Sequence, residues 1–125
     1  WSLVPFSVQV ACFIGYIVGM AGVFWAMRTN PFYSCAVRIQ AERGHRTIAE
    51  GPYRFVRHPG YTASLVAMTC GAIALGSWIG VVPLVGVAVL FIRRTLLEDR
   101  MLQRELSGYA AYAQSVRYRL LARVF

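Results

Sequence analysis

Nine consecutive residues, Tyr53-Arg54-Phe55-Val56-Arg57-His58-Pro59-Gly60-Tyr61, bring together two arginines that flank two apolar residues, an imidazole and two phenols. Pro59 suits the first turn of a helix. A helix starting there would aim free N–H groups and a positive dipole end at an anionic or hydroxyl-bearing ligand. The same residue types also describe a basic-aromatic anchor at a membrane interface, and composition alone favours the anchor. Glu98-Asp99 is the second cluster. Adjacent carboxylates among arginines, just past a membrane exit, are costly unless paired or solvated. A carboxylate can also accept from both hydroxyls of a ribose, as it does in dinucleotide sites. The plainer alternative is a surface pair from Arg94 to Glu98, four residues apart on a helix and contributing roughly a few tenths of a kcal/mol.

Other chemistries lack their residues. The chain has no Walker loop, G-x-G-x-x-G, H-E-x-x-H or G-x-S-x-G. His45 and His58 are its two histidines, so no histidine-rich metal site is expected. Cys12, Cys35 and Cys70 are too far apart for a zinc site or a disulfide framework.

These clusters sit in a greasy chain. Of 125 residues, 58% are hydrophobic and 14% charged, and mean hydropathy is +0.52. Soluble domains carry about a quarter charged residues, so the composition points to a membrane protein of one domain, 1–125. Net charge is +8, all of the basic residues being arginine. Residues 1–27 and 58–92 hold no charge, while the blocks 28–57 and 93–123 each sum to +4. A nucleic-acid binder would spread its basic residues over a far less apolar fold, so no nucleic-acid partner is expected. Starting at Trp1, the sequence reads as one with residues removed upstream. Residues 1–27 lack a basic n-region and a clear cleavage site, so no signal peptide is expected.

The uncharged stretches predict an all-α, polytopic membrane bundle with spans at about 3–27, 60–76 and 78–94. A single helix over 58–92 would reach roughly 52 Å, against a ~30 Å hydrocarbon core. It would also put the two basic blocks on opposite sides. Gly76-Ser77-Trp78 and Pro83 favour a hairpin instead. Segments 28–59 and 95–125 then face the cytoplasm, with the N-terminus outside; a bacterial inner membrane is the preferred setting. Gly15, Gly19 and Gly22 offer either a helix-packing stripe or ordinary transmembrane glycine. Asn30-Pro31 resembles a helix start or turn. Residues 37–40 and 47–48 alternate as two short strands would, around a turn at 42–45. Residues 93–113 read as an amphipathic helix with Glu98, Leu102, Glu105, Tyr109 and Tyr112 on one face and a break or bend at Gly108.

Taken in order, Gly51-Pro52-Tyr53 through Tyr61, an uncharged hairpin, Glu98-Asp99-Arg100-Met101-Leu102 and Tyr109-Ala110-Ala111-Tyr112 closely resemble the membrane methyltransferases typified by isoprenylcysteine carboxyl methyltransferase. The related phospholipid methyltransferases share the pattern, which runs from about Asn30 to Leu121. The resemblance implies S-adenosylmethionine as cofactor, bound between the C-terminal helices and the cytoplasmic segments, and a lipophilic or lipidated substrate entering from the membrane lipids. It further implies that His58, Pro59, Gly60, Tyr61, Tyr53 and Glu98 bind the cofactor. His45, Arg46, Thr47 and Ile48 match a stretch lining the same pocket, and Gln40 is a further match. Arg57 and Arg94 are expected to orient the substrate. No metal is implied, and oligomeric state is open. This chain has Glu-Asp where the family has Glu-Glu, and Ala122 follows Arg119-Leu120-Leu121 where R-L-x-P is usual. Members carry more N-terminal helices than the one that follows Trp1.

Two other functions compete. NADPH-dependent sterol-type reductases share an R-H-P-x-Y-like motif, but theirs continues with a glycine and an acid where this chain has Thr62-Ala63-Ser64. A non-enzymatic membrane scaffold would bind no cofactor.

Overall fold

The computed structural model describes residues 3–34 and 36–125; the expectation for Cys35 lies outside the described residues. Four α-helices account for the architecture: α1 (Phe6–Thr29), α2 (Pro59–Ala74), α3 (Val82–Glu105) and α4 (Tyr109–Ser115). Short 3₁₀ turns occupy Ala41–Arg43, Gly51–Arg54 and Ile79–Val81. Among the described residues there is no strand, so the fold is all-α.

α1 and the helical run Ile79–Glu105 are long and apolar enough to cross a membrane. Only 11% and 6% of their apolar windows are buried within the chain. The core helix of a soluble protein would be mostly covered. These helices instead present Phe13, Ile17, Phe24, Val85, Val89 and Leu90 outward, as lipid-facing helices do. α2, at 16 residues, is about 24 Å long.

α1 and α2 pack along a glycine seam. A Cβ on Gly19 would lie 2.7 Å from the Ala67 backbone nitrogen, and one on Gly15 would lie 2.8 Å from Cys70 Sγ. Gly22 faces Ala63 in the same way, at 3.0 Å. Of the two readings of these glycines, the packing stripe is the one observed. Pro59 opens α2 and Pro83 lies in the first turn of α3, where a missing N–H is harmless. α2 and α3 thus form the expected hairpin around Gly76 and the Ile79–Val81 turn.

Two local expectations need correction, and a third resolves between its alternatives. Residues 37–48 do not pair as strands. The N–H groups of Arg43 and His45 both donate to the Gln40 carbonyl, at 2.9 and 3.3 Å, which curls the segment on itself. Of the two readings of Asn30-Pro31, the turn is the one observed: Asn30 caps the end of α1, its Oδ1 accepting from Phe32 N–H at 2.9 Å. Finally, 93–113 is not a separate amphipathic helix. α3 runs unbroken across the change from apolar to polar sequence and ends at Glu105. Leu106 is extended and Gly108 has φ +80°, a conformation open to glycine. The chain turns there, so Tyr109 and Tyr112 reach the core from α4, while Glu105 is exposed.

Candidate functional site

The loop 30–58, the start of α2, the polar half of α3 and α4 line one open cleft. Its walls include His45, Arg46, Thr47, Ile48, Tyr53, Arg57, His58, Gly60, Tyr61 and Glu98. Residues up to 53 positions apart in the chain therefore line one cleft. Gln40, Pro59 and Arg94 lie outside the lining.

Gln40 is buried and acts one step behind the wall. Its Nε2 donates to the Phe32 carbonyl at 2.8 Å, and its Oε1 accepts from Arg43 at 2.7 Å. Its backbone N–H donates to His45 Nδ1 at 3.2 Å. The His45 ring stacks on Phe32 with centroids 4.5 Å apart, giving the cleft a two-ring face. Burial holds the His45 pKa below its ordinary 6.5, so the ring is neutral at neutral pH and can accept that bond. A depressed histidine pKa means that the unfolded chain binds more protons. The contribution to stability is therefore full above pH 6.5 and is lost as pH falls through the lower folded value. Hydrogen exchange should show the Gln40 amide protected at pH 7.5 and losing protection as the pH falls below the ordinary histidine value of 6.5. His45→Gln should remove that pH dependence; an unchanged profile in the variant would refute the assignment.

At the start of α2, His58 and Tyr61 stack nearly parallel, 5° apart with centroids at 5.7 Å. Tyr61 O–H donates to Glu98 Oε2 at 2.7 Å. Arg94 Nε is 4.0 Å from the same oxygen, and its guanidinium lies over the Tyr61 ring at 5.5 Å. Glu98 thus has a fixed orientation with carboxylate surface left toward the cleft. Gly60 matters through what it lacks: a Cβ there would meet the Tyr33 ring at 2.6 Å.

Asp99 turns the other way, as a residue 100° further round a helix must. It is 2% exposed and does not line the cleft. Arg57 NH1 lies 3.1 Å from Oδ1 and His58 Nε2 3.7 Å from the same atom. Tyr109 O–H donates to Oδ1 at 2.9 Å, and Arg119 Nε and Gln103 Nε2 donate to Oδ2 at 3.2 and 3.0 Å. Arg57 NH2 donates to the Arg117 carbonyl at 3.3 Å. Removing one partner of so buried a pair costs about 3–5 kcal/mol, because the other is left charged and dry.

Tyr112 O–H donates to the Tyr53 carbonyl at 2.7 Å, and Asn30 donates to the Tyr53 hydroxyl at 3.3 Å. Burial pushes the Tyr53 phenol up to about 12 and raises Tyr109 and Tyr112 as well, so all three stay protonated donors. Sequence reasoning left Asn30, Phe32 and Tyr33 out of the lining, and nothing local marks them. It singled out Asp99 only as the neighbour of Glu98, and noticed the Y-x-x-Y of α4 without assigning it to the cleft wall.

Comparison with known proteins adds the following. The model of the isoprenylcysteine carboxyl methyltransferase family matches residues 10–104. Two rice proteins, from the indica and japonica subspecies and each named "Probable protein-S-isoprenylcysteine O-methyltransferase", are 28% identical to the chain over 109 residues. The match covers 86% of this chain and 56% of each relative, so the chain spans little more than half their length.

Proposed function

The chain belongs to the isoprenylcysteine carboxyl methyltransferase family, and from that premise we propose that it transfers a methyl group from S-adenosylmethionine to the carboxylate of a lipophilic, isoprenylcysteine-like substrate. The observation that carries this reading is the Glu98–Tyr61 pair, 2.7 Å apart in a cleft that opens where apolar α3 becomes polar.

The residues present fit such a cofactor. Glu98, held by Tyr61, offers an acceptor edge for two ribose hydroxyls. The stacked Phe32–His45 pair offers a face for a flat base. His58 and Tyr53 supply further polar groups in the lining. When bound, the sulfonium supplies an activated methyl group. What remains for the protein is alignment and exclusion of water, since a carboxylate acceptor is already ionised and needs no general base.

Arg57 lines the cleft, but its terminal nitrogens are engaged by Asp99 and the Arg117 carbonyl. We therefore assign the acceptor's carboxylate to Arg94 and keep Arg57 as a fixed positive charge in the wall. Arg94 sits one helical turn toward the apolar half of α3, beside Tyr61, where an acceptor arriving from lipid would meet it. In the topology we propose, α1, α2 and α3 all cross the membrane as parts of one domain. Both arginine blocks and the cleft then face the cytoplasm, as the positive-inside rule favours.

The test is calorimetric titration of the detergent-purified protein with S-adenosylhomocysteine, and with NADPH in parallel. Saturable binding of the first alone supports the proposal, and methylation of an isoprenylated cysteine would extend it to the acceptor. Binding of NADPH alone would overturn it in favour of a reductase. Binding of neither would overturn it in favour of a scaffold.

A further inference from the structure

We propose that Asp99 is a positioning residue for the cleft and that the C-terminal tail, through Arg119, is part of the same device. The inference rests on the cofactor reading above. Its basis is an asymmetry between two neighbouring acids. Glu98 faces the cleft, whereas Asp99 is excluded from it yet touches three of its lining side chains: Arg57, His58 and Tyr109.

Those three come from different elements, the loop end, the cap of α2 and the start of α4. One carboxylate pairs with Arg57 and accepts from Tyr109, and His58 Nε2 packs 3.7 Å from the same oxygen without a hydrogen bond. A buried carboxylate with several donors holds each of them in one geometry, because any departure leaves a charge or a donor dry. Asp99 thus ties α4 and the entry to α2 onto α3, the helix that carries Glu98.

The tail closes the arrangement from behind. Arg57 N–H donates to the Tyr118 carbonyl at 2.9 Å and His58 N–H to the Arg119 carbonyl at 2.8 Å. The Thr62 hydroxyl donates to the Leu120 carbonyl at 2.6 Å, and Leu120 is buried. Residues 118–120 therefore lie along the motif from Arg57 to Thr62 and satisfy the two backbone donors that precede α2. Arg119 then reaches Asp99 Oδ2 at 3.2 Å. Its guanidinium also lies 5.3 Å from the Phe125 ring centroid, which anchors it within the tail. Backbone pairing sets the tail against the motif, and the Arg119–Asp99 pair locks both to α3.

The experiment is titration of S-adenosylhomocysteine into wild type, Asp99→Asn, Arg119→Gln and Arg119→Lys in detergent, with Kd and site number read separately. A merely structural role lowers the fraction of folded sites and leaves their Kd alone; a positioning role raises Kd at full occupancy. Asp99→Asn should raise Kd about tenfold or more, since displacements near 1 Å carry penalties of that order. Arg119→Gln should raise it by about half that factor on a logarithmic scale, with partial recovery in Arg119→Lys. Arg119 is one-third exposed and its loss still leaves Asp99 paired with Arg57, Tyr109 and Gln103, so this variant keeps the test open if Asp99→Asn fails to fold. Arg104→Gln, an exposed arginine on the same helix, should bind as wild type does. Wild-type Kd in both Arg119→Gln and folded Asp99→Asn would overturn the inference while leaving the cofactor reading intact. Failure of wild type to bind would overturn the reading beneath it.

Discussion

Glu98→Gln is expected to weaken S-adenosylhomocysteine binding about a hundredfold while moving the melting temperature by no more than a degree or two. Glutamine keeps the shape of the side chain and can still accept from Tyr61, and the position is one-quarter exposed, so the packing survives. What is lost is charge. Hydrogen bonds to ionised groups contribute about 1.5–3 kcal/mol, against about 0.5–1.5 for neutral ones. For two ribose hydroxyls the difference comes to roughly 2–3 kcal/mol, or about two decades in Kd. Calorimetry of variant and wild type, with melting curves of both without ligand, checks each half of the expectation. Equal Kd values would remove Glu98 from the cofactor.

Gly19→Leu should be the most damaging substitution outside the cleft. Its Cβ alone would stand 2.7 Å from the Ala67 nitrogen and 2.9 Å from its Cα. Backbone cannot swing aside as a flexible side chain can, so α1 and α2 must separate. Overpacking of this kind costs about 1–3 kcal/mol or more, and an apolar medium offers no hydrophobic gain to offset it. Because α2 begins with Pro59, Gly60 and Tyr61 directly after its cap His58, the displacement reaches the cleft. A clearly lowered melting temperature and weakened ligand binding are expected together. Gly86→Leu provides the contrast: nothing lies within 4 Å of a Cβ there, and the variant should melt with wild type. Equal melting of Gly19→Leu would mean that the seam is not tight in the working protein.

How much of this could be read in the sequence differs by element. The start of α2 was legible, because Pro59 marks it and the charge-free run behind it leaves little else to be. The glycine spacing left a packing stripe and ordinary transmembrane glycine equally open, because Ala67, Cys70 and Ala63 as partners depend on how α2 returns, which no local pattern carries. The end of α3 was misread for a physical reason. Polarity changes at Arg93, yet arginine, leucine and glutamate are good helix formers, so the helix continues where the hydropathy stops. The loop after α1 was misread because Gln40 closes it with contacts to Phe32, Arg43 and His45 that outweigh the weak alternation of residues 37–40. For the two acids, sequence could place them on different sides of a helix. The residues alone did not say which side faces the cleft, and only the family resemblance singled out Glu98, because α4 and the tail, 10 and 20 residues downstream, supply the partners of Asp99.

The continuity of α3 has a mechanical consequence. In the proposed topology the segment bathed in lipid and the segment bearing both acids are one continuous helix, so leaning the first moves the second. Asp99 lies about 25 Å along the axis from Val82, and a 10° lean about that end would carry it roughly 4 Å. Bilayer thickness, which sets how far a spanning helix leans, is thereby an input to the geometry of Glu98 and Asp99. Linkage makes the relation mutual: a ligand that prefers one lean makes the protein prefer the bilayer that imposes it, by the same factor. Affinity is then a property of protein and membrane jointly, and a series of lipids differing only in chain length becomes a ruler for the site.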